Sequence, residues 1–237
     1  MKEESRGGNS PEKLNSGITP DQFTQSTLVF VYRHLPSWRD DPQRPAEQAE
    51  DKLNLQLCKF LDIQARNSFP MVHFNHEEYQ QGRRSVDLSA SPTQTTIIDA
   101  RVYSIYDPIL VFECKRLPAP TKAREREYVT GGKKRSGGIQ RFKLDLHGHK
   151  LDLVAMIGYV QGNTPKHWHT TINRWISELS KGQSTDGCVW DKSEKLGGFR
   201  EDVAHGTASC QSIHGRTGKG VSSKVGIRHL WVVMSEN

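Results

Sequence analysis

Residues 109–117 read Ile-Leu-Val-Phe-Glu-Cys-Lys-Arg-Leu, an apolar run that closes on charge. Side chains alternate faces along a strand. Glu113 and Lys115 therefore share one face, and Leu110, Phe112 and Cys114 the other. Ile109 and Val111 make the first half apolar on both faces, the pattern of a central strand covered from both sides. A carboxylate and an ammonium at the end of such a strand are costly to bury unless they pair or bind something. A divalent cation and a phosphate would together satisfy both. The plainer alternative is a cross-strand ion pair at a sheet edge.

Glu-x-Lys alone says little, because Glu50-Asp51-Lys52 matches it inside an expected helix. On a buried strand, with an acid upstream and a basic segment downstream, it resembles the PD-(D/E)xK nuclease superfamily over roughly residues 45–180. The resemblance implies an α/β fold, a central mixed β-sheet flanked by helices with a restriction-endonuclease-like core. It also implies a residue set. Glu113 and an upstream Asp would hold Mg²⁺ (or Mn²⁺), Cys114 would offer its carbonyl, and Lys115 would be the catalytic lysine. Asp87 is the preferred upstream acid, since its short strand-like run suits the family's second core strand; Asp99 competes. Residue 86 is Val where the motif's name has Pro. Glu50, on the helix before the core strands, is a candidate further ligand, with Glu47 second. Gln140, in Gly137-Gly138-Ile139-Gln140, matches a Gln that some members place near the scissile group, although Leu144 stands where a Tyr often follows. The activity implied is metal-dependent hydrolysis of DNA phosphodiesters, in restriction or antiviral defence, by a homodimer or with a partner protein. The alternatives are an inactive nucleic-acid-binding module and a structural subunit of a defence complex.

The residue types suit that chemistry. Phosphodiester cleavage needs a nucleophilic water, charge stabilisation and help for the leaving oxygen. Mg²⁺ can supply all three from a few oxygen ligands. A lysine beside it can be tuned towards acid–base work. Of the formal net charge of +6, residues 115–150 carry a local +8, eleven Lys/Arg against three Asp/Glu. Concentrated positive charge beside an acidic site suits a polyanion. Lys134, Arg135, Arg141 and Lys143 are the expected backbone clamps.

Four cysteines without Cys-x-x-Cys spacing argue against a zinc ribbon or disulfide framework. No apolar run approaches the length of a membrane span and the N-terminus is polar, so a cytoplasmic protein without membrane attachment is expected. Residues 1–18 read as a disordered tail, 19–181 as the nuclease core, and 182–237 as a loop-rich extension ending in a strand. Within the core, Thr19-Pro20 opens a helix. Pro45 to Asn67 is the strongest helix, with Leu53, Leu57, Phe60 and Leu61 at helical spacing. Strands are expected at 71–74, 86–88, 97–105 and 151–160, with a turn at Gln81-Gly82. Residues 121–138 read as a basic flap, and Thr164-Pro165 opens another helix. Residues 182–224 leave open an extended loop, a β-hairpin or disorder, and Leu230–Met234 reads as an edge strand. The histidine pairs His147/His149 and His167/His169 read as surface or nucleic-acid-contacting. His169-Thr-Thr with His205-Gly-Thr, and the Gly-Lys fragment at 215–220, match phosphoesterase and P-loop patterns too poorly to carry a function.

Overall fold

The structure, a computed structural model, describes residues 20–80, 84–182, 185–217 and 223–234. The expected N-terminal tail, the Thr19 cap and the Gln81-Gly82 turn lie outside them. The described residues form four α-helices and nine strands. Seven strands make one mixed sheet in the order β1(Val72–Tyr79)-β2(Ser85–Pro92)-β5(Leu110–Leu117)-β6(Leu153–Val160)-β9(Lys224–Val233)-β8(Thr207–Gly215)-β7(Gly197–Asp202). β5, β6 and β9 run parallel at the centre, and antiparallel strands flank them.

Alternation along the central strands builds a core on each face. Leu110, Phe112, Cys114, Ala155, Ile157, Tyr159, Leu230 and Val232 pack under α1(Pro20–Arg39) and α2(Glu50–Ser68). Val111, Leu117, Val154, Met156, Ile227 and Trp231 pack under α3(Gly138–Lys143) and α4(Pro165–Leu179). The α2 stripe recurs every four residues at Leu53, Leu57, Leu61 and Ala65, all buried. Glu50, one turn before Leu53 and Asn54, opens the same stripe. Helix α4 starts where Thr164 Oγ1 accepts the His167 N–H at 3.2 Å, with Pro165 in the first turn. Gly158 lies beside Lys115 in the β5–β6 ladder, and a Cβ there would stand 2.4 Å from the Trp231 ring.

Three expectations need correction. Residues 97–105 are not one strand. Asp99 and Ala100 both have positive φ, and the pairing Ile98↔Arg101 makes them the two-residue turn of a separate hairpin, β3(Thr96–Ile98) and β4(Arg101–Tyr103). The C-terminal strand is no edge strand, since β9 lies between β6 and β8. Of the three alternatives for residues 182–224, the hairpin is present as β7–β8. It extends the main sheet, so the C-terminal segment is part of the core. All four cysteines are buried thiols. Among the described residues, no helix is long and apolar enough to cross a membrane.

Candidate active site

The pairing of β2 with β5 stops at Leu88↔Phe112. One residue further along, the Asp87 carboxylate takes the place of a β2 carbonyl and accepts the Cys114 N–H at 2.7 Å. A buried backbone donor needs such a partner. Glu50, Asp87, Glu113 and Lys115 meet in the opening between the two strands. Lys115 Nζ donates to the Cys114 carbonyl at 2.7 Å and to Glu50 Oε1 at 3.0 Å. It lies 3.6 Å from Asp87 Oδ2 and 3.7 Å from Glu113 Oε2. Glu50 Oε2 also accepts the Arg116 N–H at 3.1 Å, which ties the start of α2 to β5.

Glu113 is fully buried and has two further partners. Arg141 Nη1 donates to Oε2 at 2.8 Å, and His147 Nδ1 contacts Oε1. Burial opposes ionisation of Glu113, but His147, Lys115 and Arg141 overcome it and hold the carboxyl down to about 2. Asp87 is the reverse case. Burial pushes it up to about 6; Lys115 pulls it down, and Glu113 and Glu50 add like-charge repulsion. For Lys115, burial favours the neutral amine. The charges of Asp87, Glu50 and Glu113 outweigh burial and hold it above the ordinary lysine range, so it is an ammonium.

The opposite displacements of the two acids have a measurable consequence. An acid whose folded value is raised contributes its stability in full below the unfolded value, near 3.8 for Asp87, and loses it as pH rises through about 6. Asp87→Asn should therefore gain stability relative to the wild type between pH 4 and 6, read from thermal melts without metal. A gap between the two proteins that stays constant across that window would show that Asp87 does not titrate there. Glu113, held at about 2, has the opposite sign, and its contribution is lost only as pH falls below the ordinary 4.5.

The donor chemistry fits a hard divalent cation. Three carboxylates and one backbone carbonyl lie within 3.7 Å of a single cationic point, and oxygen donors of this kind are the ones such a cation takes. That point is the Lys115 ammonium. Among the described residues no three His, Cys, Asp or Glu side chains are set closely enough to hold a metal directly. The reason is geometric, because the carboxylates are spaced around Nζ and Glu113 is also held by Arg141 and His147. Asp99 is remote from this chemistry, exposed in the β3–β4 turn. Glu47 is tied to Gln56 Nε2 at 3.4 Å.

Gln140 and Lys143 do not join the site. The Gln140 side chain is buried and saturated. Its Oε1 accepts from the Gly131 and Gly137 N–H groups, and its Nε2 donates to the Gly132 and Asp186 carbonyls. It folds the loop before α3. Lys143 is fully buried, 2.5 Å from Glu194, and lies over the Trp190 ring at 4.9 Å. Arg141 is an inward clamp on Glu113, while Lys134 and Arg135 are exposed. The +8 of the basic segment is partly neutralised by acids from outside it, since Arg126 pairs with Glu178, Arg141 with Glu113 and Lys143 with Glu194. His147 was missed. Its place in a His-Gly-His pair suggested a surface residue, yet it is 1 % exposed and holds Glu113. Nothing in local spacing signals that contact, which spans 34 positions.

No family model, curated protein or solved structure matches this chain.

Proposed function

We propose that this protein is a metal-dependent endonuclease acting on DNA, with Glu50, Asp87, Glu113 and Lys115 as its catalytic group. The observation that carries the reading is the ring of three carboxylates and the Cys114 carbonyl around one cation, at the point where β2 leaves β5. Asp87, Glu113 and the Cys114 carbonyl would hold Mg²⁺, with Glu50 as a further oxygen donor. The bound ion supplies an activated water and offsets phosphorane charge. Arg141 and His147 orient the Glu113 carboxylate. Lys115, an ammonium beside the scissile phosphate, stabilises the charge that develops on its oxygens. The 122–136 connection carries exposed cations. Lys122, Lys133 and Lys134 border a cleft of about 480 Å³ in the 122–136 connection. With Arg135 they form the sequence-independent grip on the DNA backbone.

Plasmid cleavage tests this. Nicking or linearisation is expected in Mg²⁺, none in EDTA, and none from Glu113→Gln in either. Cutting that survives EDTA and Glu113→Gln would sink the mechanism. Lys134→Ala should weaken DNA binding about equally across sequences and lower the salt slope by about one, with stability changed by less than about 0.5 kcal/mol. An unchanged salt slope would remove Lys134 from the interface.

A further inference from the structure

A second cleft, about 440 Å³, opens against the strand that carries Glu113. That volume is ordinary for a small-ligand site. Its walls are Tyr79 at the end of β1, Arg101 and Tyr103 on the β3–β4 hairpin, and the 148–151 turn. Val111 also lines it, and Val111 precedes Glu113 by two residues on the same strand face, about 7 Å along the strand. The turn that closes the other side begins at Gly148, next to His147. The Gln80 side chain fixes that turn by accepting the Gly148 N–H at 3.1 Å. The cleft and the proposed catalytic group therefore share a strand and a turn.

The chemistry of the walls is unusual for exposed surface. Tyr79 is 79 % exposed and Val102 61 %. The Arg101 guanidinium lies over the Tyr103 ring at 5.8 Å and also donates to the Lys150 carbonyl, which holds the hairpin against the turn. Asp107 is engaged elsewhere, accepting from Ser104 N at 2.9 Å and Ser104 Oγ at 2.6 Å. Asp107 stays ionised, held down by those Ser104 hydrogen bonds and by Lys150 and Arg101, so the cleft is aromatic with a small cationic excess. Flat π-faces beside guanidinium and ammonium groups suit a planar base carried on a phosphate chain. A base inside a duplex hides both faces in the stack. Only an unstacked base could enter.

We infer that this cleft receives one unstacked base of a single-stranded segment and so places the adjoining phosphate at the acidic group. This rests on the nuclease reading and narrows its substrate to DNA with single-stranded character. The test is binding of a short fluorescein-labelled single-stranded oligonucleotide, its duplex and a free mononucleotide, all in EDTA, to the full chain. Tyr79→Ala and Tyr103→Leu are expected to weaken single-strand binding about 5- to 150-fold, the worth of one stacked base. Duplex binding should change little. A 2-aminopurine in the single strand should lose fluorescence on binding to the wild type and not to Tyr79→Ala. Single-strand affinity unchanged in both variants overturns the inference. So does a mononucleotide that binds as tightly as the oligonucleotide, which would make the cleft a small-nucleotide site. Tyr79-dependent binding without any cutting in Mg²⁺ would sink the nuclease reading alone. Cutting with Tyr79-independent binding would sink the cleft alone.

Discussion

Lys115→Met is expected to lower Mg²⁺-dependent DNA cleavage by about 10²–10³-fold, the cost of removing one preorganised charge-stabilising group. DNA binding should survive, because the exposed cations of the 122–136 connection are untouched. The substitution keeps the stem of the side chain and removes the only ammonium among Glu50, Asp87 and Glu113 in the described site. Without it, three acidic side chains face one another. The variant should be less stable than the wild type in EDTA, since breaking a buried charge cluster leaves its partners uncompensated. Added Mg²⁺ should then raise the melting temperature of Lys115→Met more than that of the wild type, because the ion no longer competes with an ammonium for the same oxygens. Equal Mg²⁺ stabilisation of the two proteins would mean that the ion binds elsewhere. Full cleavage by the variant would remove Lys115 from the chemistry.

Lys143→Met should produce the largest loss of stability, about 3–5 kcal/mol, a fall in Tm of about 6–20 °C for a chain of this size. The Lys143 ammonium donates to Glu194 at 2.5 Å and to the Gly215 carbonyl at 3.1 Å. Burial works against ionised Glu194, but His214 and Lys143 outweigh it and hold the carboxyl at about 2. Glu194 also accepts the Gly215 N–H at 2.9 Å, which anchors the end of β8. Removing the lysine leaves that carboxylate buried beside a histidine whose own proton affinity burial has lowered. Thermal melts check this, with DNA binding measured on the same samples. An unchanged Tm together with weakened DNA binding would return Lys143 to the surface role its sequence context suggested.

His147 and Lys143 show where reading along the chain fails. Both lie in a stretch whose composition is basic, and composition describes an average over the segment. Whether a given cation faces water or a buried carboxylate depends on which strand or loop arrives above it. Here those arrivals are Glu113 from β5 and Glu194 from the connection before β7. Gln140 fails for a related reason. Its setting matches a glutamine near the scissile group, but the backbone of Gly131, Gly132, Gly137 and Asp186 comes within reach of its amide, and the amide is used up folding the loop.

Read alone, the chain determined what local periodicity can determine. A two-residue alternation set Glu113 and Lys115 on one face of a doubly covered strand, and a four-residue repeat put Glu50 on the inward stripe of α2. It also marked Asp87 on its own short strand. These follow from the pitch of strand and helix, which every residue carries with it. Tertiary structure decided the convergence: the splay of β2 from β5, the meeting of Glu50 and Lys115 across 65 positions, the His147 clamp, and the insertion of β9 between β6 and β8. Burial forces each charge to find a partner, and the partner is chosen by the packing of the whole chain, not by its neighbours in sequence.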